Sequence, residues 1–444
     1  MKIGFLKAIS IATVAGLLLT ACSGASPDSK SPKNSSETTS ESNKEADTGE
    51  NVTLKLYANY SDDQEKDTLD RAIEAMKKEM PNVTVEIEPA SQDDGQKLKT
   101  YAASGNLPDI FKSDGVDIEI LNKSGTLLQL DEYAKEAGII DDIADAYKDA
   151  LYMSDGHIYA VPWQSPWVNS FYANKKVFEE NGVKIPENYD EFLTAVKTFN
   201  EKGVLPYALF GKEKQWCLHL YDIMVTRKAP DGIKGLDENT AKAGDADYLE
   251  AANKLIELVN AGMLSKDVFN TTYDQAKALF TSDKCAMFMT GTWALNGLEQ
   301  EMGDNLVLMY YPLAAAGSEE EAKWNMSGGY SQGGFSVPEY SKNKEIAAKY
   351  AVLLSRKVND AFVALEGGTS IYKDSPKSEM ALGPVMSQYI EDTKNFKSMS
   401  KFDWNLSNQE LKTVMEDKAQ ELLTGTITAE DFAKEIDAAI EETN

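Results

Sequence analysis

The chain has 444 residues, 45 Lys and Arg against 72 Asp and Glu, and a formal net charge of −27. A surface this acidic repels phosphate backbones and excludes nucleic acid as a partner. With 42% hydrophobic and 26% charged residues, the composition is that of a soluble body of two or three domains, or one large two-lobed body; three cysteines cannot build a disulfide mini-fold, and two histidines argue against a His-rich metal centre.

Lys2 and Lys7 precede an apolar run from Ala8 to Leu19 that is too short for a mature membrane span and reads as a secretory signal. It closes on Leu19-Thr20-Ala21-Cys22, which resembles the bacterial lipoprotein processing box. Residues 1–21 are therefore expected to be removed, leaving Cys22 as a diacylated N-terminus. Two acyl chains at about 0.8 kcal/mol per buried CH₂ anchor stably where one does not. Ser23 to Asn51 is Ser, Thr, Asn, Lys, Glu and Asp without an aromatic, Leu, Ile or Val, so 22–51 is expected to be a disordered tether. Its mean reach is about 30 Å.

The folded body opens on two alternating runs, Val52-Leu54-Leu56 and Val83-Val85-Ile87, each expected as a half-buried strand. Between them Leu69, Ile73, Met76 and Met80 mark one helical face, with Ser61 and Gln64 as a capping box and Pro81 as the stop. Strand, helix, strand at this length predicts a βαβ unit with parallel strands. Further strands are expected at Asp109 to Phe111, Tyr159 to Pro162, Ser170 to Tyr172, Pro206 to Phe210, Cys285 to Met289, Leu306 to Tyr311 and Gly334 to Val337. Helices are expected around Phe192 to Phe199, Leu249 to Val259 and Ile346 to Leu354. Two more should lie at Leu411 to Leu423 and Phe432 to Ile440, the last capped by Thr428 and Asp431. The class is α/β; periodicity alone leaves open one sheet or two.

Catalytic signatures are missing: no Gly-x-Ser-x-Gly elbow, phosphate loop, His-Glu-x-x-His or calcium loop is present. The Gly-rich stretch Ser327 to Gly334 precedes a strand rather than a helix, unlike a dinucleotide loop. His157 and His219 read as structural or surface residues. Cys217 and Cys285 read as buried free thiols, although a disulfide between them stays open. A glycoside hydrolase using two carboxylates is a rival reading, since carboxylate separation is a spatial fact. The aromatic residues say more. Tyr57, Tyr60, Trp163, Trp167, Trp216, Trp293, Trp324, Tyr330 and Trp404 fall at element ends and loops, where α/β sheets place ligands. Indole faces stack on sugar C–H faces while carboxylates and amides take sugar hydroxyls, so this mixture suits carbohydrate.

Several motifs are similar to those of the family 1 extracellular solute-binding proteins of ABC sugar importers. Tyr101 to Gly105 with Pro108-Asp109-Ile110-Phe111 resembles that family's Ala-rich helix, Gly-x-x-Pro-Asp turn and strand. Gly156 to Trp163 followed by Phe171 to Phe178 resembles a second hallmark, Tyr189-Asp190-Glu191-Phe192 a helix start, and Lys284 to Met287 with Gly291-Thr292-Trp293 a third block; Asp283 and Cys285 depart from the last pattern. Ser341 to Glu345 and Leu422 to Gly425 extend the likeness to the C-terminus.

The resemblance implies a type II periplasmic-binding-protein-like fold of two lobes joined by three crossovers, near 161–168, 312–317 and 356–360. One lobe would be 52–162 plus 313–356, the other 163–312 plus 357–444. It implies a substrate-binding lipoprotein, not an enzyme, that captures an extracellular oligosaccharide and delivers it to ABC permease subunits. The expected setting is the outer face of the cell membrane, or the periplasm if the source has two membranes. A monomer, held to the membrane only by its lipid, with no cofactor and no metal, is expected. The ligand-binding residues it implies are Asn59, Tyr60, Ser61, Asp114, Trp163, Gln164, Trp293 and Trp404; loop position adds Trp216 and Tyr330. The same fold carrying a non-sugar solute is the other alternative. Anionic cargo is disfavoured, because Arg71, Arg227 and Arg356 are the only arginines.

Overall fold

The computed structural model describes residues 51–91, 95–310 and 312–443. The expectations for residues 1–50, Cys22 among them, lie outside the described residues.

Two four-stranded sheets organise the body. The first has the order β2-β1-β3-β9. Its parallel core is β1 (Val52–Ala58), β2 (Val83–Pro89) and β3 (Ile110–Ser113), with Val52 opposite Val83 and Leu56 opposite Ile110. The βαβ reading holds. Helix α1 (Asp63–Glu79) makes the crossover and buries Leu69, Ala72 and Met76, but its cap is Asp62, whose carboxylate accepts from Glu65 N at 2.8 Å. Ser61, expected to cap, instead donates from its N–H and hydroxyl to Glu65 Oε2.

The second sheet, ordered β5-β6-β4-β7, centres on β4 (Asn169–Asn174), antiparallel to both neighbours. Beside it run β5 (Leu205–Ala208), β6 (Cys285–Gly291) and β7 (Leu306–Met309). Every residue of β4 and β6 is buried, as the interior of a sheet covered on both faces requires. Cys217 and Cys285 are both buried free thiols, each pushed up to about 12 by burial. Helices α2 (Tyr189–Glu201), α3 (Gln215–Val225) and α4 (Ala246–Asn260) accompany this sheet.

Three expectations differ. Tyr159 to Pro162 forms no strand; Val161 makes a single antiparallel bridge to Phe335 of β9 (Gly334–Ser336). Residues 325–329, expected in the first lobe, form β8 (Asn325–Gly329), which pairs in parallel with β10 (Ser398–Ser400). Ser327 of β8 bonds both Asn169 of β4 and Asp222 of α3, which ties that strand to the second lobe. The chain therefore returns to the first sheet only across 330–333. The crossover expected near Arg356 to Asp360 falls inside α5 (Lys344–Glu366), which runs unbroken through it. Its apolar face continues through Val358 and Phe362 until Gly367 ends it in the left-handed region, and Lys357 and Glu366 still reach Glu79 and Thr68. The chain rejoins the second lobe near Val385, whose N–H donates to Glu299. Two helices, α6 (Gln409–Thr424) and α7 (Ala429–Thr443), close the fold; Thr428 caps the last one, accepting from Asp431 N at 3.0 Å.

Asp222 joins three parts of the second lobe. Fully buried, it accepts from Ser327 Oγ at 2.5 Å, Ile233 N at 2.7 Å and Ser400 Oγ at 2.9 Å. Burial raises its carboxyl above the ordinary value, and these donors offset only part of that rise. Asp222→Ala would leave the donors unpaired and should cost at least about 3 kcal/mol. Denaturant unfolding checks this, and a loss below ~1 kcal/mol would show that the network is dispensable.

Candidate functional site

The carboxyl ends of the first sheet's parallel strands face two adjoining cavities. The first, about 280 Å³, is walled by Asn59 after β1, by Asp62, Glu65 and Thr68 of the α1 entry, and by Phe362 and Glu366 of α5. The second, about 300 Å³, lies between Lys112 of β3 and Asp114 just after it on one side and Phe402, Trp404 and Asn405 after β10 on the other. Trp163, Gln164 and Trp167 line both. The segment that carries them is pinned at each end. Val161 exchanges backbone hydrogen bonds with Phe335 at 2.8 and 3.0 Å, and Val168 O accepts from Thr292 N at 2.9 Å. Gly334 makes the first of these contacts possible, since a Cβ there would stand 1.9 Å from Val161 O.

Of the expected site residues, Asn59, Asp114, Trp163, Gln164 and Trp404 therefore come together on these walls. Five do not. The Tyr60 hydroxyl donates to Asp70 at 3.0 Å, and Ser61 is committed to Glu65. Tyr330 lies beyond the second cavity, on a more open hollow of about 960 Å³, with Lys234 Nζ 4.9 Å from its ring centroid. Trp216 is buried, and its ring packs 5.2 Å from His219 and 5.9 Å from Trp293. Trp293 sits behind the second cavity, 5.8 Å from Phe402 and 6.3 Å from Trp404.

These aromatics buttress one another. Trp404 stacks on Phe402 at 4.2 Å between centroids, and at 45% exposure it offers its other face to the cleft. His219 holds the loop from below: Nε2 lies 2.8 Å from Asp403 Oδ1, and Lys412 Nζ lies 3.0 Å from Oδ2. Burial alone would raise the Asp403 carboxyl, yet the His219 and Lys412 contacts hold it below its ordinary value. In the first cavity Glu366 accepts from Thr68 Oγ1 at 2.6 Å and from Gln64 Nε2; burial, with Asp62 and Glu65 nearby, raises its carboxyl. Lys112 Nζ lies 3.1 Å from Asp114 Oδ1 and 5.1 Å from the Trp163 ring centroid.

Sequence reasoning passed over Phe362, Glu366 and Trp167 as walls. Trp167 was legible as a loop aromatic, but the other two both lie near the C-terminal end of a long helix, with nothing local to mark them. Among the described residues no His, Cys, Asp and Glu group has the makings of a metal site.

The description "bacterial extracellular solute-binding protein" fits residues 62–360 as a family model. The chain belongs to that family. It is 30% identical over 243 residues to the multiple sugar-binding protein of Streptococcus mutans, covering 53% of this chain and 56% of that one. It is 24% identical over 250 residues to the melibiose/raffinose/stachyose-binding protein MelE of Bacillus subtilis, covering 54% of this chain and 56% of the other. This solute-binding chain thus spans little more than half the length of those two relatives. Its fold is that of a family 1 extracellular solute-binding protein from Bifidobacterium longum subsp. infantis, with a TM-score of 0.72 at 21% identity over 89% of this chain and all of that one. RafE from Streptococcus pneumoniae matches with a TM-score of 0.68 at 19% identity, over 89% of this chain and 98% of that one. The two-lobed α/β architecture is the one the resemblance implied.

The Gly-x-Trp motif has a steric cause in this family member. A Cβ at Gly291 would stand 1.8 Å from Cζ3 of Trp293, so the indole lies across the bare glycine. Gly291→Ala should displace Trp293, shift the tryptophan emission spectrum and cost about 1–3 kcal/mol. An unchanged spectrum and midpoint would mean that the ring is not held there.

Proposed function

We propose that this protein captures an extracellular oligosaccharide between its two lobes and presents it to the permease subunits of an ABC importer, working as a lipid-anchored monomer held by Cys22. The observation that carries this reading is the convergence of Asn59, Asp114, Trp163, Gln164 and Trp404 on adjoining cavities from the first lobe, the crossover and the second lobe. Indole faces and carboxylate and amide acceptors are the two surfaces a glycan needs. Relatives named for sugars support it: MelE for melibiose, raffinose and stachyose, and a chitin oligosaccharide binding protein among similar folds.

No bond is broken in this account. A ligand touching both lobes stabilises the closed arrangement by its differential affinity for it, and that closure distinguishes loaded from empty protein at the membrane. The lobes divide best as 52–162 with 334–366, and 168–329 with 385–443. Charge argues against anionic cargo. None of the three arginines lines either cavity: Arg71 pairs with Glu379, Arg227 donates to Tyr310 O and Asn325 O, and Arg356 pairs with Asp360. Among the described residues no helix is long and apolar enough to cross a membrane, so the anchor proposed at Cys22 would be the tie to the bilayer.

Trp163→Ala should weaken binding of the best oligosaccharide by about tenfold or more with the thermal midpoint of the free protein within a few degrees of the parent. Tryptophan quenching or calorimetry measures this. Unchanged affinity would remove Trp163 from the site, and release of new reducing ends by the parent protein would replace the binding reading with a hydrolase.

A further inference from the structure

The two cavities share one wall and differ in charge. Each, at about 280 and 300 Å³, lies at the lower limit of the range that holds a drug-sized ligand, so neither accommodates a chain of rings alone. Trp163, Gln164 and Trp167 stand between them, and the Trp167 ring is braced edge-on by Phe362 at 5.7 Å. Three carboxylates, Asp62, Glu65 and Glu366, line the first cavity, and no Lys or Arg does. The second carries Lys112 beside Asp114, so its charges offset one another.

We propose that the cleft is a two-compartment site divided by Trp163, Gln164 and Trp167, that its ligand is an oligosaccharide of at least two rings laid across this divider, and that the ring in the first compartment carries no negative charge. The inference rests on the sugar-binding reading and sharpens it to a substrate class. A ring seated against Trp167 in one compartment and Trp163 in the other buries apolar faces on both sides of the bend, which a single ring cannot do. An anionic ring in the first compartment would face three carboxylates with no counter-charge in a partly desolvated space, where repulsion is strong. In the second compartment the same charge meets Lys112 together with Asp114, whose charges offset one another. The site therefore reads charge by position: a uronic acid is tolerated at one end of the glycan and rejected at the other. Trp167 and Glu366 are specificity residues in this scheme, and neither follows from the motifs of the family.

Calorimetric titration of the whole protein with raffinose, maltotriose, xylotriose and cellotriose identifies the best probe, which is then compared with its component monosaccharides and with the same probe oxidised to a uronic acid at either terminal ring. The trisaccharide should bind at least about 100-fold more tightly than any component monosaccharide. Oxidation at one end should cost about tenfold or more and at the other end little. Trp167→Ala should weaken the trisaccharide by about tenfold and shrink its advantage over the monosaccharide. Should that variant unfold, Glu366→Gln provides an independent reading, because it should narrow the affinity gap between the rejected uronate-ended probe and the neutral one by about tenfold, whatever it does to the neutral probe itself. Equal affinity for monosaccharide and trisaccharide, or equal loss from oxidation at the two ends, would overturn the two-compartment scheme and leave sugar binding standing. Absence of binding to every sugar would overturn both.

Discussion

The short segment from Val161 to Val168 is the constraint on which the site depends. One end is locked to the first sheet through Phe335, the other to the end of β6 through Thr292, whose N–H donates to Val168 O and whose hydroxyl accepts from Val168 N at 3.2 Å. Between these ends the Ser355 hydroxyl donates to Pro162 O, and Thr369 Oγ1 donates to Ser165 Oγ at 2.7 Å. Trp163, Gln164 and Trp167 thus leave a backbone with little freedom of its own. If the proposed site is the ligand site, side chains held this way would lower the ordering cost of binding.

The second lobe meets that rigid strip with a loop held by buried charge. Asp237 accepts from Lys401 at 2.8 Å and from Ser407 N and Asn408 N, while Asp403 is gripped by His219 and Lys412. Trp404 directly follows Asp403 within the segment 401–408 that these two carboxylates hold. Buried pairs of this kind add little net stability but are costly to break, so they fix a loop in place rather than strengthen the fold at large. The cleft is therefore formed by one wall tied to both sheets, one wall from the first lobe's strand ends and one aromatic face from the second lobe. Under the proposed function, the lobes' relative position is the variable that a ligand would change.

Much of this was legible in the sequence, and the reasons are local ones. The alternation in Val52 to Leu56 and Val83 to Ile87, with an amphipathic stretch between, fixes a parallel unit because few other connections are allowed. Thr428 with Asp431 announces the last helix for a comparably local reason. Asn59 and Asp114 directly follow strands, so locating the strand also locates the cavity wall beyond its carboxyl end. Other features depend on partners far along the chain. Ser61 and Asp62 are both able caps, and only the reach of Glu65 back to Ser61 decides between them. The β8 and β10 strands are short and rich in Ser, Gly and Met, with no alternation to betray them, and their pairing is a tertiary fact. A crossover at Arg356 to Asp360 follows only from the family resemblance, whereas the apolar periodicity through Val358 and Phe362 continues the helix. Tyr60 and Trp216 belong to the right neighbourhoods, yet a hydrogen bond to Asp70 and a buried aromatic cluster claim their side chains.

Hydrogen exchange on the whole protein with and without a saturating oligosaccharide tests the central claim most directly, because it reads the backbone of both lobes and the crossover at once. Coordinated slowing in the loop after β1, in 162–168 and in 401–405 is the result predicted, since the ligand is held where these three segments meet. Protection confined to one lobe, or centred on the open hollow beside Tyr330 with no change at 162–168, would contradict it.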